Sequence, residues 1–96
     1  MKPSIALKTH RNTIRSLVEA HRASNARVFG SVIRNEDTED SDLDILIDPD
    51  PEATLLDIGA IRHELLQLLK IPVDVLTPEA LPKKIRAQIL AEAEPI

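Results

Sequence analysis

Asp42-Leu43-Asp44 sets two carboxylates two residues apart at the start of a run, Asp42 to Asp48, whose branched side chains read as a β-strand. Alternate side chains of a strand project to opposite faces, so Asp42 and Asp44 point together while Leu43 and Ile45 point away. A third carboxylate, Asp74, stands between Val73 and Val75 in another apolar run, and a charge so placed needs a partner. Three carboxylates on adjacent strands are hard oxygen donors of the kind Mg²⁺ prefers, and they leave positions open for water and substrate phosphates. Two such ions about 3.5–4 Å apart would stabilise both the attacking and the leaving oxygen of an in-line displacement at phosphorus. Taken alone, the same residues are better read as a strand start, a solvent-facing charge and an edge charge that guards against aggregation.

Gly30-Ser31 adds a second element of phosphate chemistry. Glycine lets a backbone approach a phosphate closely, and Ser31 offers an amide and a hydroxyl at a turn. Arg34 lies near enough in sequence for its guanidinium fork to reach the same phosphates. Other arrangements fail on their spacing. Asp40, Asp42 and Asp44 have the 1, 3 and 5 positions of a calcium loop, but Ile45 and Pro51 stand where that loop needs Gly and Glu. His10, His21 and His63 fall on separate helical stretches without paired ligand spacing, and Lys83, Lys84 and Arg86 read as a solvated basic face.

Periodicity supplies the elements that must hold these residues. Helical spacing from about Lys8 to Arg22 aligns Ile14, Leu17, Val18 and His21, and Ala23-Ser24-Asn25 breaks it. Ala26 to Phe29 then predicts a short strand ending at Gly30, and Asn35 to Asp42 a solvated loop. After the Asp42–Asp48 strand, closed by Pro49 and Pro51, a helix is expected from Ala53 to Leu69 with Leu55, Leu56, Ile58, Ile61, Leu65, Leu68 and Leu69 on its core side. Gly59 within it is a cost of about 1 kcal/mol unless a neighbour approaches closely. Val73 to Leu76 is a third strand, and Pro82 opens a last helix reaching Ala93. Helix, strand, strand, helix, strand, helix implies an α+β or α/β layering, with helices on a small sheet whose strand order stays open.

Composition narrows the function classes. The 96 residues allow one domain, 1–96, and 43% hydrophobic against 29% charged residues is the balance of a folded chain. Phe29 is the only aromatic residue, so base-stacking platforms are nearly excluded, and a net charge of -4 opposes nucleic-acid coating. No cysteine, no apolar run of membrane-spanning length and a charged N-terminus together make the cytoplasm the expected compartment.

Gly30-Ser31, followed after ten residues by Asp42-Leu43-Asp44 and later by Asp74 in an apolar strand, resembles the MNT-type minimal nucleotidyltransferases of the polymerase-β-like superfamily. The resemblance covers about Val28 to Thr77, and the flanking helices fall where that family has them. It implies a small mixed sheet with flanking helices, and catalysis with two Mg²⁺ ions on Asp42, Asp44 and Asp74. It implies ATP as nucleotidyl donor with Gly30, Ser31 and Arg34 on its phosphates. It further implies an antitoxin that transfers AMP to a tyrosine of a HEPN-domain ribonuclease toxin. A binding-only antitoxin and a free-standing small-molecule nucleotidyltransferase are the alternatives. Where the family commonly reads Gly-Ser-x-Ala-Arg-Gly, this chain has Ile33 for Ala and Asn35 for the second Gly. Asn35 can keep a left-handed turn, while a bulky Ile33 beside the phosphate loop would narrow nucleotide access.

Overall fold

The computed structural model covers residues 1–96. Four strands, β1 (Ala23–Phe29), β2 (Leu43–Pro49), β3 (Val73–Leu76) and β4 (Glu94–Pro95), form one sheet in the order β3-β2-β1-β4. β1 is antiparallel to both β2 and β4, whereas β2 and β3 run parallel. Parallel strands need a crossover, supplied by α2 (Leu55–Leu69). Helix α1 (Pro3–Ala20) precedes the sheet and α3 (Lys83–Glu92) follows β3, completing a small α+β fold.

β2 is buried on both sides, which explains why its apolar run is nearly continuous. Leu43, Ile45 and Ile47 face the main core with Ile14 and Val18 of α1 and Ile61, Leu65 and Leu69 of α2. On the opposite face Leu46 packs with Phe29 and Leu81, and Ile89 of α3 closes over them. The short β4, which the sequence reading did not contain, carries the chain back to the sheet, where Ile96 N–H donates to the Ala26 carbonyl at 2.9 Å.

Several boundaries differ from the sequence expectation for local reasons. α1 begins at Pro3, well before Lys8, because proline suits a first helical turn; a kink at His10 (φ -114, ψ 20) hides the continuity of the apolar stripe. His21 falls outside the helix as its C-cap, and Arg22 (φ 59) turns the chain into β1. Ala23-Ser24-Asn25 are the bulged start of β1, with Asn25 at φ 51, so a break in helical period is here the beginning of a strand. β2 starts at Leu43, leaving Asp42 just before it. α2 starts at Leu55 under a Thr54–Asp57 capping box, and Leu55 and Leu56 are 85% exposed instead of joining the core. Nothing approaches Gly59, so it is an uncompensated helix weakness. Pro82 caps α3 from outside its first turn. No helix is long and apolar enough to cross a membrane.

Lys2, at the N-cap of α1, provides no side-chain cap. Asp37, in the loop before β2, provides it instead: its Oδ2 accepts from the Ser4 amide at 3.0 Å, and that backbone hydrogen bond is the main cause holding the Asp37 carboxyl below its ordinary value. Asp37→Ala is therefore expected to destabilise the fold by about 1 kcal/mol, the usual size of a lost N-cap. A group with a lowered folded-state pKa stabilises above its unfolded value and loses that contribution as pH falls through the folded one. Thermal melts of wild type and variant should thus differ fully at pH 7 and converge below the ordinary value of 3.8.

Candidate active site

The parallel register of β2 and β3 pairs Asp44 with Asp74, between the apolar pairs Leu43–Val73 and Ile45–Val75. In-register neighbours share a face, so the two carboxylates meet on the side of the sheet away from the main core. Across the other ladder Asp44 pairs with Phe29. The sole aromatic residue, only 8% exposed, thus flanks one side of Asp44 while Asp74 flanks the other. Asp42 and Asp74 are exposed and Asp44 is half-buried.

These surroundings push the Asp44 carboxyl up to about 6, first through loss of hydration, then through repulsion from Asp74 and Asp42, with a hydrogen bond to Asp74 favouring the protonated form and Arg34 opposing the shift. The sequence-predicted carboxylates therefore interact electrostatically. They do not, as they stand, close into a cage of three metal-ligating side chains, and no other cluster of His, Cys, Asp or Glu does so. The donor set nevertheless fits a hard divalent cation. Their oxygens are hard donors, Asp74 and Asp42 act on the Asp44 carboxylate in a way that a proton or a cation would relieve, and Asp44 and Asp74 sit on neighbouring strands in register.

The phosphate-loop candidates lie beside this cluster. Residues Gly30–Val32 form a 3₁₀ turn directly after β1, and the Gly30 carbonyl accepts from Ile33 and Arg34 N–H at 3.1 and 3.3 Å. Gly30 has φ +80, and a Cβ there would collide with Asp44 Oδ2. Its hydrogen side is thus the wall against which the Asp44 carboxylate rests, a constraint that Gly-Ser in a sequence does not reveal. Ser31 is half-buried on the turn, and the exposed Arg34 pairs with Glu36 at 3.2 Å while remaining close enough to act on Asp44. Asn35 takes φ 57 and keeps the left-handed position that a second glycine would fill. Ile33 packs against the main core, on the other side of the sheet from Asp44, so its bulk is turned away from the phosphate loop.

Two further residues could not have been found from spacing. Phe29 shows its part only once β1 and β2 are in register, and Asp37 reaches Ser4 across a tertiary contact. On α3 the basic face is divided: Lys83 and Lys84 are exposed, but Arg86 is drawn in, donating to the carbonyls of Glu79 and Leu81 at 3.2 and 3.0 Å with its Nε buried and unpaired. Arg86 is thus a clamp on the turn between β3 and α3, and not part of a solvated patch.

A family model described as "Nucleotidyltransferase domain" matches residues 7–95. A Methanocaldococcus jannaschii protein provisionally described as a protein adenylyltransferase is 40% identical over 73 residues, 76% of this chain and 78% of its own length. The protein adenylyltransferase MntA of Thermococcus cleftensis is 38% identical over 65 residues, 68% of this chain and 66% of its own. A solved structure, provisionally described as a minimal nucleotidyltransferase, superposes with a TM-score of 0.87 at 40% identity, covering 97% of this chain and 95% of that one. At 17% identity the fold also matches a crystal structure described as a toxin-antitoxin with AMP-PNP, with a TM-score of 0.73 over 88% of this chain and 69% of that one.

Two substitutions test the geometry around Asp44. Gly30→Ala meets both the left-handed backbone and the Asp44 carboxylate, and should lower Tm on the scale of 1–2 kcal/mol for the backbone alone, or roughly 4–16 °C in a domain of this size. Asp44→Asn should do the reverse. Because the folded-state pKa is raised, native protein binds more protons than unfolded chain between 3.8 and about 6, and stability falls as pH rises through that window. In metal-free buffer at pH 7 Asp44→Asn should therefore melt higher than wild type, by on the order of 5 °C, and the difference should vanish below pH 3.8.

Proposed function

The chain belongs to the nucleotidyltransferase domain family, and we propose that it is an antitoxin that transfers AMP from ATP to a tyrosine hydroxyl of a HEPN-domain toxin. The observation that carries the reading is the in-register pair Asp44 and Asp74, with the Gly30 turn packed directly against the Asp44 carboxylate. Relatives named protein adenylyltransferase support a protein acceptor, and a fold neighbour described as a toxin-antitoxin with AMP-PNP supports the biological setting.

The chain's own residues divide the work. Ser31, on a turn whose first amides lack intrahelical partners, presents an amide and a hydroxyl to the triphosphate, and Arg34 adds a guanidinium. Two divalent cations held by Asp42, Asp44 and Asp74 would lower the pKa of the acceptor hydroxyl and neutralise the departing pyrophosphate. The acceptor oxygen bonds to the α-phosphorus as the bond to the bridging oxygen breaks, and pyrophosphate leaves with that electron pair. The hydroxyl proton passes to a carboxylate oxygen of the exposed Asp74 and on to water. The acceptor tyrosine must come from outside, because the chain contains none.

Incubation with a co-encoded HEPN-domain protein, ATP and Mg²⁺ should add one AMP to that protein, seen by intact mass. Asp74→Asn should reduce the transfer rate more than it weakens ATP binding. Neutralisation of the toxin by both proteins alike with no added mass would leave a binding-only antitoxin, and transfer without any second protein would point to a small-molecule acceptor. Ser31→Ala and Arg34→Ala should each raise the Kd for ATP about tenfold with the fold intact, the worth of one charge-assisted contact; calorimetry showing unchanged affinity in both would remove them from the phosphate site.

A further inference from the structure

The two edges of the sheet are finished differently. At the β4 edge Pro95 lacks an amide to donate, and Arg11 Nη1 reaches the Pro95 carbonyl at 3.4 Å. At the β3 edge the main-chain alternation is set by one bond, Leu43 N–H to the Pro72 carbonyl at 2.9 Å. With that bond and the register of β2 and β3, Asp74 and Leu76 turn their amides and carbonyls toward β2, while Val73 and Val75 turn theirs outward. Arg62 Nε covers the outward carbonyl of Val73 at 3.2 Å, and Val73 is only 2% exposed. No turn, cap or side-chain bond reaches the main chain of Val75, which is half-exposed. The open edge therefore begins one residue after Asp74, whose side chain is exposed on the site face.

We propose that this open edge receives the acceptor: an extended segment of the partner protein adds beside β3, hydrogen-bonds to Val75, and carries its reactive hydroxyl on the residue opposite Asp74. The inference deepens the adenylyl-transfer reading and rests on it. An unpaired amide and carbonyl beside a ligating carboxylate are complementary to an extended main chain, and strand addition of this kind uses main-chain bonds for affinity and alternate side chains for selection. Geometry then fixes which side chain is presented. In an added strand bonded to Val75, the flanking residue opposite Asp74 projects onto the face shared by Asp74 and Asp44, one strand spacing of about 4.7–4.9 Å further out. A tyrosine there extends over the carboxylates.

The experiment uses the full chain and the HEPN-domain protein as acceptor. Val75→Pro removes the outward amide without touching the β2–β3 ladder, while Val75→Ala trims the side chain and keeps the amide. Val75→Pro should lower kcat/KM for the protein acceptor about tenfold, through KM, with the Kd for ATP unchanged; Val75→Ala should stay within about twofold of wild type. Should Val75→Pro fail to fold, hydrogen exchange on the wild type decides, with the Val75 amide expected to gain protection on adding acceptor. Equal transfer by a folded Val75→Pro, absence of that protection, or a dimer closed through β3 in ultracentrifugation of the chain alone would each overturn the proposal. Absence of AMP transfer by the wild type sinks the adenylyl-transfer reading instead, and protection at Val75 then still reports whether the edge is a docking strand.

Discussion

Repulsion among carboxylates is the constraint on which the arrangement of this chain depends. Asp44 is held half-buried between Phe29 and Asp74 with Asp42 nearby, and its carboxyl is pushed up to about 6. A fold minimising its own free energy would not gather these charges. Everything that forces them together is apolar: Leu43, Ile45 and Ile47 anchor β2 on one face, Leu46 anchors it on the other, and Val73 locks β3 into register. The site is therefore a corner of unfavourable charge sustained by the core.

The turn after β1 obeys the same logic. Gly30 provides the only backbone that leaves room for the Asp44 carboxylate, while Asn35 closes the turn in the left-handed region. Ile33 and Val32 pack against the main core, so the loop beside Asp44 is fastened from behind. Asp37 fastens the next segment by capping α1. Loop, helix and sheet thus hold one another through Val32, Ile33 and Asp37, which lie outside the residues assigned to the nucleotide.

What could be read from the sequence follows from which signals are local. Asp42, Asp44 and Asp74 stood out because strand alternation and apolar flanks are properties of a few adjacent residues, and β3 was legible end to end for the same reason. The starts of α1 and β1 were not. A kink at His10 interrupts the helical period, and a bulge at Asn25 makes a strand begin where alternation fails. Leu55 and Leu56 fit the helical stripe yet remain in solvent, since periodicity states which side a residue is on and not whether anything is packed there. Strand order, the role of Phe29 beside Asp44 and the capture of Arg86 by two carbonyls all depend on contacts between distant segments, which no local pattern encodes.

The parallel pairing of β2 with β3 also sets an order of assembly. The β1–β2 ladder closes over a single loop, but β3 can dock only after α2 has crossed the sheet, so Asp74 arrives through the most non-local contact in the site. It arrives against the charge of Asp42 and Asp44. Docking of β3 is thus a step that charge repulsion opposes and that screening would ease, so the ionic surroundings of the folding chain bear on how readily these carboxylates come into register.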